Sequence, residues 1–376
     1  MFRRTRGFWL RVTNGMALSE LWKQFQADAR LTYRLYSQEV DTKRKPGTGR
    51  VKHFFRLVRL FFWAIVEKLT PARRVLLVAS LVMMAIDVNI TWDSGGRHAS
   101  TQLYIGPLSI GTWGELFLLT VLVLEVTDRV VMKRDLQIAK EIQTWLLPAA
   151  PPIVPGLVIA FVTKPANTVA GDYYDVFPRP GACSEGAYLI SIADVAGKSI
   201  PAAMLMATYQ ASLKTLASTA ESLPDLAARM NNYACDHSQN GRRFTTTFIA
   251  EYDFGAHRLT YVNAGHNAPM LRKTNGTIER LTEGGLPLGI LRGTQYASGT
   301  STIESGDWLA IFTDGVTEAE NAAAQEYGEG RLMQALGAYS AAAPQAALDA
   351  IMADLDRFVA GAPQHDDITL MLLKAV

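Results

Sequence analysis

Residues 190–199, ISIADVAGKS, run out of an apolar strand into a turn and on toward a helix. Two readings compete in this stretch, and they give different folds. Gly197-Lys198-Ser199 is how a nucleotide-binding phosphate loop ends, whereas Asp194 stands at the tip of the preceding strand, where an acid can serve a metal. A phosphate loop requires a first glycine, four residues, then Gly-Lys-Ser or Gly-Lys-Thr. The position of that first glycine holds Ile192, so successive backbone N–H groups cannot wrap a phosphate there. Asp194, not Lys198, is the residue of this stretch suited to chemistry.

Outward from this stretch, the chain beyond residue 157 is a succession of short strands. LVIAFVT (157–163), AYLISIAD (187–194), TTTFIAEYD (245–253), RLTYVNA (258–264), APMLRK (268–273), DWLAIFTD (307–314) and DITLMLL (367–373) are rich in β-branched and aromatic residues. Helical spacing appears in 201–218, 222–238 and 343–360. Strands and helices do not alternate regularly, which disfavours a doubly wound parallel sheet. The pattern predicts an α+β domain with antiparallel sheets.

Four acids lie where these strands begin or end: Asp172 in AGDYYD, Asp194 in IADVAGKS, Asp314 in IFTDGVTE and Asp366 in QHDDITL. One such acid is ordinarily a turn former. Four at strand ends can converge and hold hard divalent cations through oxygen. No His/Cys cluster competes with them, and Cys183 and Cys235 match no metal or redox spacing.

The N-terminal third differs in texture. Residues 1–74 carry a net charge of +12 and the remainder −10, although the whole chain is only +2. Such asymmetry suggests an anchoring surface at one end. HFFRLVRLFFWAIVEKL (53–69) has the pattern of a helix lying in a membrane interface. Two apolar stretches follow, 75–92 and 107–124, each containing one acid, Asp87 or Glu115. They predict a two-span transmembrane hairpin with both basic flanks cytoplasmic. Leu136, Ala139, Ile142 and Leu146 then recur at helical spacing before Pro148, Pro151, Pro152 and Pro155 break the helix. The expected organisation is a basic cytoplasmic region with an interfacial helix (1–72), a transmembrane hairpin (73–126), a helical linker able to dimerise through 128–147 (127–150), and a C-terminal domain (151–376). Nucleic acid is not an expected partner.

VAGDYYD, ADVAGKSIPAAMLMA, YVNAGHNAPMLR, GLPLGI, GDWLAIFTDGVTEAENAAAQEYGEGRL and HDDITLMLL occur in an order that resembles the SpoIIE/RsbU-like branch of the metal-dependent protein phosphatases (the PPM, or type-2C, superfamily). The resemblance covers about residues 136–376. It implies an antiparallel β-sandwich flanked by helices, with two Mn2+ or Mg2+ ions at one end. It places the metal ligands on Asp172, Asp194, the Val195 carbonyl, Asp314 and Asp366, with Asp175 and Asp367 as outer groups. Two metals would activate a water that attacks phosphorus in line. The implied substrate is a phosphoserine or phosphothreonine protein, such as an anti-sigma-factor antagonist of STAS type, at the cytoplasmic face of the cell membrane. The chain departs from some relatives at Ala196, where they carry a histidine, at Asn167, where they carry a phosphate-gripping arginine, and at Ala170, where Gly-Gly-Asp is common. His266 and the glycines of GLPLGI are expected to shape turns near the site. A catalytically silent phosphatase fold acting as a scaffold is the competing reading, and retention of all four acids disfavours it.

Overall fold

A computed structural model describes residues 59, 63, 66–92, 104–105, 108–179, 186–238 and 243–376. Most of the basic region 1–72, including most of the expected interfacial helix, lies outside the described residues, as do Cys183 and most of the segment between the two apolar stretches. The chain divides into two compact units, Met1–Val130 and Val131–Val376.

The first unit holds α1 (Pro71–Trp92), a short ladder of β1 (Tyr104–Ile105) and β2 (Leu108–Ser109), and the start of α2 (Ile110–Leu146), whose residues from Val131 onward belong to the second unit. The first turns of α2 lie close against α1. A Cβ added to Gly114 would fall 2.8 Å from the Ser80 carbonyl oxygen and 3.0 Å from Met84 Cγ. Arg73 ties the two helices together through Glu125 at 3.1 Å and Asp128 at 2.7 Å.

The expected transmembrane hairpin is corrected here: among the described residues no helix is long and apolar enough to cross a membrane. Both helices form, but α1 opens with Arg73 and Arg74, and the apolar part of α2 is interrupted by Thr112, Gly114, Glu115 and Thr120. The second helix also does not stop at the end of its apolar stretch. It continues unbroken for 37 residues, absorbing the segment expected as a separate linker.

The second unit is built in layers. Its strands are β3 (Leu157–Lys164), β4 (Tyr173–Pro178), β5 (Tyr188–Val195), β6 (Thr245–Asp253), β7 (Arg258–Ala264), β8 (Met270–Arg272), β9 (Ile278–Arg280), β10 (Gly284–Gly285), β11 (Gly299–Thr302), β12 (Trp308–Phe312) and β13 (Ile368–Ala375). Its helices beyond α2 are α3 (Ser199–Leu216), α4 (Leu223–His237), α5 (Asp314–Thr317), α6 (Gly328–Ala338) and α7 (Pro344–Val359). One sheet has the order β10-β7-β6-β5-β4, with β11 also on β7; the other has the order β3-β13-β12-β8-β9. All pairings are antiparallel except β10 on β7.

Alternation along the strands builds three apolar cores. Ile190 and Ile192 of β5 meet Ile311 of β12 and Met371 and Leu373 of β13 between the sheets. Leu189 and Ala193 face the other way, onto Met206 and Leu213 of α3 and Leu226 and Met230 of α4. Leu370 and Leu372 face Leu348, Ile351 and Leu355 of α7. Strands buried on both faces read as continuous apolar runs, which is why AYLISIAD and DITLMLL are so uniformly hydrophobic. The expected α+β sandwich flanked by helices is the observed architecture. β4, β9, β10, β11, α5 and α6 do not stand out in the sequence: β4 opens within the turn-like GDYYD, α6 opens on Gly-Glu-Gly, and the others are only two to four residues long.

Candidate functional site

Both sheets deliver acids to one end of the sandwich. Asp172 immediately precedes β4, Asp194 is the penultimate residue of β5, Asp314 opens α5 directly after β12, and Asp366-Asp367 precede β13. The antiparallel register sets this convergence: β4 pairs Tyr173 with Ala193, and β12 pairs Phe312 with Leu370.

The four expected ligands and Asp367 feel one another's charge. Burial raises the Asp172 carboxyl well above the usual range, and Asp194 and Asp367 add to the effect. Burial pushes Asp194 up to about 7, reinforced by Asp314, Asp366 and Asp367. Asp314 rises through burial and Asp366, and Asp367 rises through burial against the pull of two backbone N–H groups. Mutually repelling, desolvated carboxylates are an arrangement that a nearby cation relieves.

The individual bonds are specific. Asp172 Oδ2 accepts from Thr313 Oγ1 at 3.0 Å and from Thr369 Oγ1 at 2.5 Å. Asp367 holds the loop that leads to Asp172: its Oδ1 accepts from Ala166 N at 2.7 Å and its Oδ2 from Gly171 N at 2.6 Å. Asp366 Oδ1 accepts from Asp367 N at 2.9 Å, and its Oδ2 lies 3.3 Å from Lys198 Nζ. Lys198, half exposed, also donates to the His365 carbonyl. Lys198 is thus a rim residue of the acid cluster. Gly197, with φ +121°, supplies the backbone turn before α3 that an L side chain rarely adopts.

Asp175 lies elsewhere. It is buried on β4, where its Oδ2 accepts from Tyr173 OH at 2.9 Å and pairs with Lys214 Nζ of α3 at 2.6 Å. None of the four acids is among these partners. His266 is buried; its backbone N–H donates to Asn263 Oδ1 at 2.7 Å and its ring Nδ1 is 3.0 Å from Thr246 Oγ1. Burial depresses its pKa to about 4, so the ring is neutral near pH 7. The GLPLGI stretch is pinned: Leu288 exchanges two backbone bonds with Thr245, and Gly289 N donates to Asn231 Oδ1 at 2.9 Å.

The donor set fits hard divalent cations, being all oxygen and strongly anionic. A cradle of the right kind lies at Gly171, where an added Cβ would sit 3.1 Å from the Val195 carbonyl oxygen and 3.8 Å from Asp367 Oδ2. Among the described residues, no three His, Cys, Asp or Glu side chains stand as a ready-made metal-binding group.

Reading the sequence for acids missed Thr313, Thr369 and Gln143. Thr313 and Thr369 carry a signal, since each flanks an acid motif at a strand end, in IFTDG and HDDIT. Gln143 lies in EIQTWLLP, with no acid beside it except Glu141.

The family model described as Stage II sporulation protein E (SpoIIE) matches residues 184–376, a span that includes Asp194, Asp314 and Asp366 but not Asp172. Protein IcfG of Synechocystis sp. (strain ATCC 27184 / PCC 6803 / Kazusa) is 28% identical over 345 residues, covering 82% of this chain and 52% of IcfG. Phosphoserine phosphatase RsbU of Bacillus subtilis (strain 168) is 31% identical over 188 residues, covering 50% of this chain and 54% of RsbU. The chain spans about half the length of these curated relatives. Among solved structures, the SiaA-PP2C domain of Pseudomonas aeruginosa superposes with a TM-score of 0.57 at 18% identity, covering 66% of this chain and 99% of that one. That likeness shows a shared PP2C fold.

Proposed function

The chain belongs to the SpoIIE family, and from that premise we propose that it is a metal-dependent protein serine/threonine phosphatase acting on a phosphorylated regulatory protein in sigma-factor or related bacterial signalling. The observation that carries this reading is the convergence of Asp172, Asp194, Asp314 and Asp366, from the ends of both sheets, into one partly buried and mutually repelling cluster with Asp172 at its buried end. RsbU, similar to this chain over half its length, bears the name phosphoserine phosphatase.

In this reading Asp172, Asp194, the Val195 carbonyl, Asp314 and Asp366 hold two divalent cations, Mn2+ or Mg2+. Bound there, such ions supply water activation and a clamp on phosphate oxygens. The surrounding residues then have separable tasks. Thr313 and Thr369 fix one oxygen of Asp172. Asp367 holds the loop that presents Asp172. Lys198 sets a positive charge at the exposed rim, where an anionic phosphoester arrives. His266, buried and neutral near pH 7, carries no proton to give as an imidazolium acid there.

The substrate fitting this reading is an STAS-type anti-sigma-factor antagonist in its phosphoserine form. The reading also sets the catalytic domain and both termini at the cytoplasmic face of the cell membrane. The net +12 of residues 1–74 and the exposed Val75, Val78, Val82, Leu119 and Leu122 support attachment at that surface. Exposed Ile138, Ile142 and Trp145 on α2 support a homodimer through 128–147.

The test is Mn2+-dependent phosphate release by the full chain from a phosphoserine STAS-type protein. Asp194→Asn is expected to lower kcat by at least about a hundredfold. A rate unchanged by this substitution overturns the assignment.

A further inference from the structure

Gln143 lies in the last turns of α2 and is only 7% exposed. Its side-chain amide is used twice on one residue: Nε2 donates to the Ala170 carbonyl at 2.6 Å, and Oε1 accepts from Ala170 N at 3.0 Å. A side chain thus does for Ala170 what a neighbouring strand does in a ladder. The two bonds also fix which way the amide points, since a flipped amide would face donor with donor and acceptor with acceptor.

Ala170 stands two residues before Asp172, in a stretch between β3 and β4 that has no helix or strand of its own. Such a stretch must find partners for its buried backbone groups from outside. Two side chains provide them. Gln143 takes both polar groups of Ala170, and Asp367 takes the N–H groups of Ala166 and Gly171. Asp367 is beside the expected ligand Asp366, whereas Gln143 comes from a helix that contributes no acid to the cluster. Leu147, just past the end of α2, packs against two of the apolar cores, so this end of the helix is a fixed support.

We propose that Gln143 is a positioning residue: its two-bond hold on Ala170 fixes the backbone from which Asp172 is presented, and so sets how tightly the site binds a divalent cation. This rests on the metal-dependent phosphatase reading above. Unlike the apolar residues of the same helix, Gln143 contributes through its amide, so a residue of equal size without donor or acceptor removes its role while keeping its volume.

The experiment compares the full chain with Gln143→Met, Gln143→Glu and Leu136→Ala. Amide hydrogen exchange over 166–172 is followed in the metal-free protein, and Mn2+ binding is measured by calorimetry. Gln143→Met strands two buried backbone groups, and is expected to speed exchange across 166–172 and weaken Mn2+ binding, each by about tenfold or more. Gln143→Glu keeps the acceptor for Ala170 N but sets a buried carboxylate oxygen against the Ala170 carbonyl, and is expected to speed exchange at least as much as Gln143→Met. Leu136→Ala loosens helix packing and is expected to lower thermal stability without selectively speeding 166–172. Unchanged exchange in Gln143→Met overturns the proposal, as does faster exchange with wild-type Mn2+ affinity. If the wild-type chain binds Mn2+ and Gln143→Met binds it equally, only the role of Gln143 falls. If the wild-type chain binds no Mn2+, the metal reading falls and takes this inference with it.

Discussion

Asp172, Asp194, Asp314 and Asp367 all hold their protons more tightly in the folded chain than free carboxyls do, and burial is the first cause in each. For such groups the stabilising contribution is complete below the unfolded pKa, about 4, and is lost as pH rises through the folded one. Asp194 loses its share as pH rises toward about 7, and Asp172, raised well above the usual range, loses its share as pH climbs through its own raised value. His266 has the opposite sign: its folded pKa of about 4 lies below the ordinary 6.5, so its contribution is present above 6.5 and is lost as pH falls toward 4. Glu318, raised by burial, adds to the acids, while Glu329 and Asp354, held low by Arg280 and Arg331, complete their opposite contribution within the ordinary carboxylate range, so that His266 is the main opposing group above it. The metal-free chain is therefore expected to lose thermal stability as pH climbs from about 4 to about 7. Asp194→Asn should flatten the fall, and saturating Mn2+ should reverse it, as read by the melting temperature across a pH series. A metal-free melting temperature that rises over this window contradicts the crowded-acid picture.

At the scale of the element, α2 has two faces with different uses. Leu136, Ala139, Gln143 and Leu146 are buried or half-buried, while Ile138, Ile142 and Trp145 are exposed, Trp145 at 79%. The apolar spacing in the sequence was expected to join Leu136, Ala139, Ile142 and Leu146 in one stripe. In the fold Ile142 parts from the others, and Ile138 and Trp145 join it, one helical repeat of three to four residues apart. A dimer through this helix must use the outer set. Ile138→Glu with Trp145→Glu is expected to convert a dimer to a monomer in sedimentation, with the fold of the catalytic unit retained. A wild-type chain that sediments as a monomer at high micromolar concentration would rule the dimer out. The inner set answers a different question, because Gln143 there is committed to Ala170.

At the scale of the molecule, the chain comprises two compact units, and the acid cluster belongs wholly to the second. A ligand stabilises only the unit that binds it, by about 2.7 kcal/mol at a hundred times its Kd. Scanning calorimetry of the full chain should show Mn2+ raising the unfolding transition of 131–376 and leaving that of the first unit in place. Movement of the first transition alone would place the metal elsewhere. The strands, their double-sided burial and the four acids at their ends were legible in ISIADVAGKS and its companions, because period-two burial and turn chemistry are local properties of the chain. On the membrane hairpin the apolar runs 75–92 and 107–124 suggest more than they hold, since Arg73 and Arg74 open α1, Thr112, Gly114, Glu115 and Thr120 interrupt α2, and no described helix is long and apolar enough to cross a membrane. In the sequence Asp367 stands as an outer group, but what that carboxylate holds is not legible, and neither Thr369 nor Gln143 is singled out. Thr369 reaches Asp172 across 197 positions, Asp367 reaches Gly171 across 196, and Gln143 reaches Ala170 across 27. The sequence by itself determined which residues carry charge to the strand ends. Only the tertiary structure decided which neutral side chains keep that charge in place, because a hydrogen bond depends on distances that sheet pairing and layer packing create and that spacing along the chain does not encode.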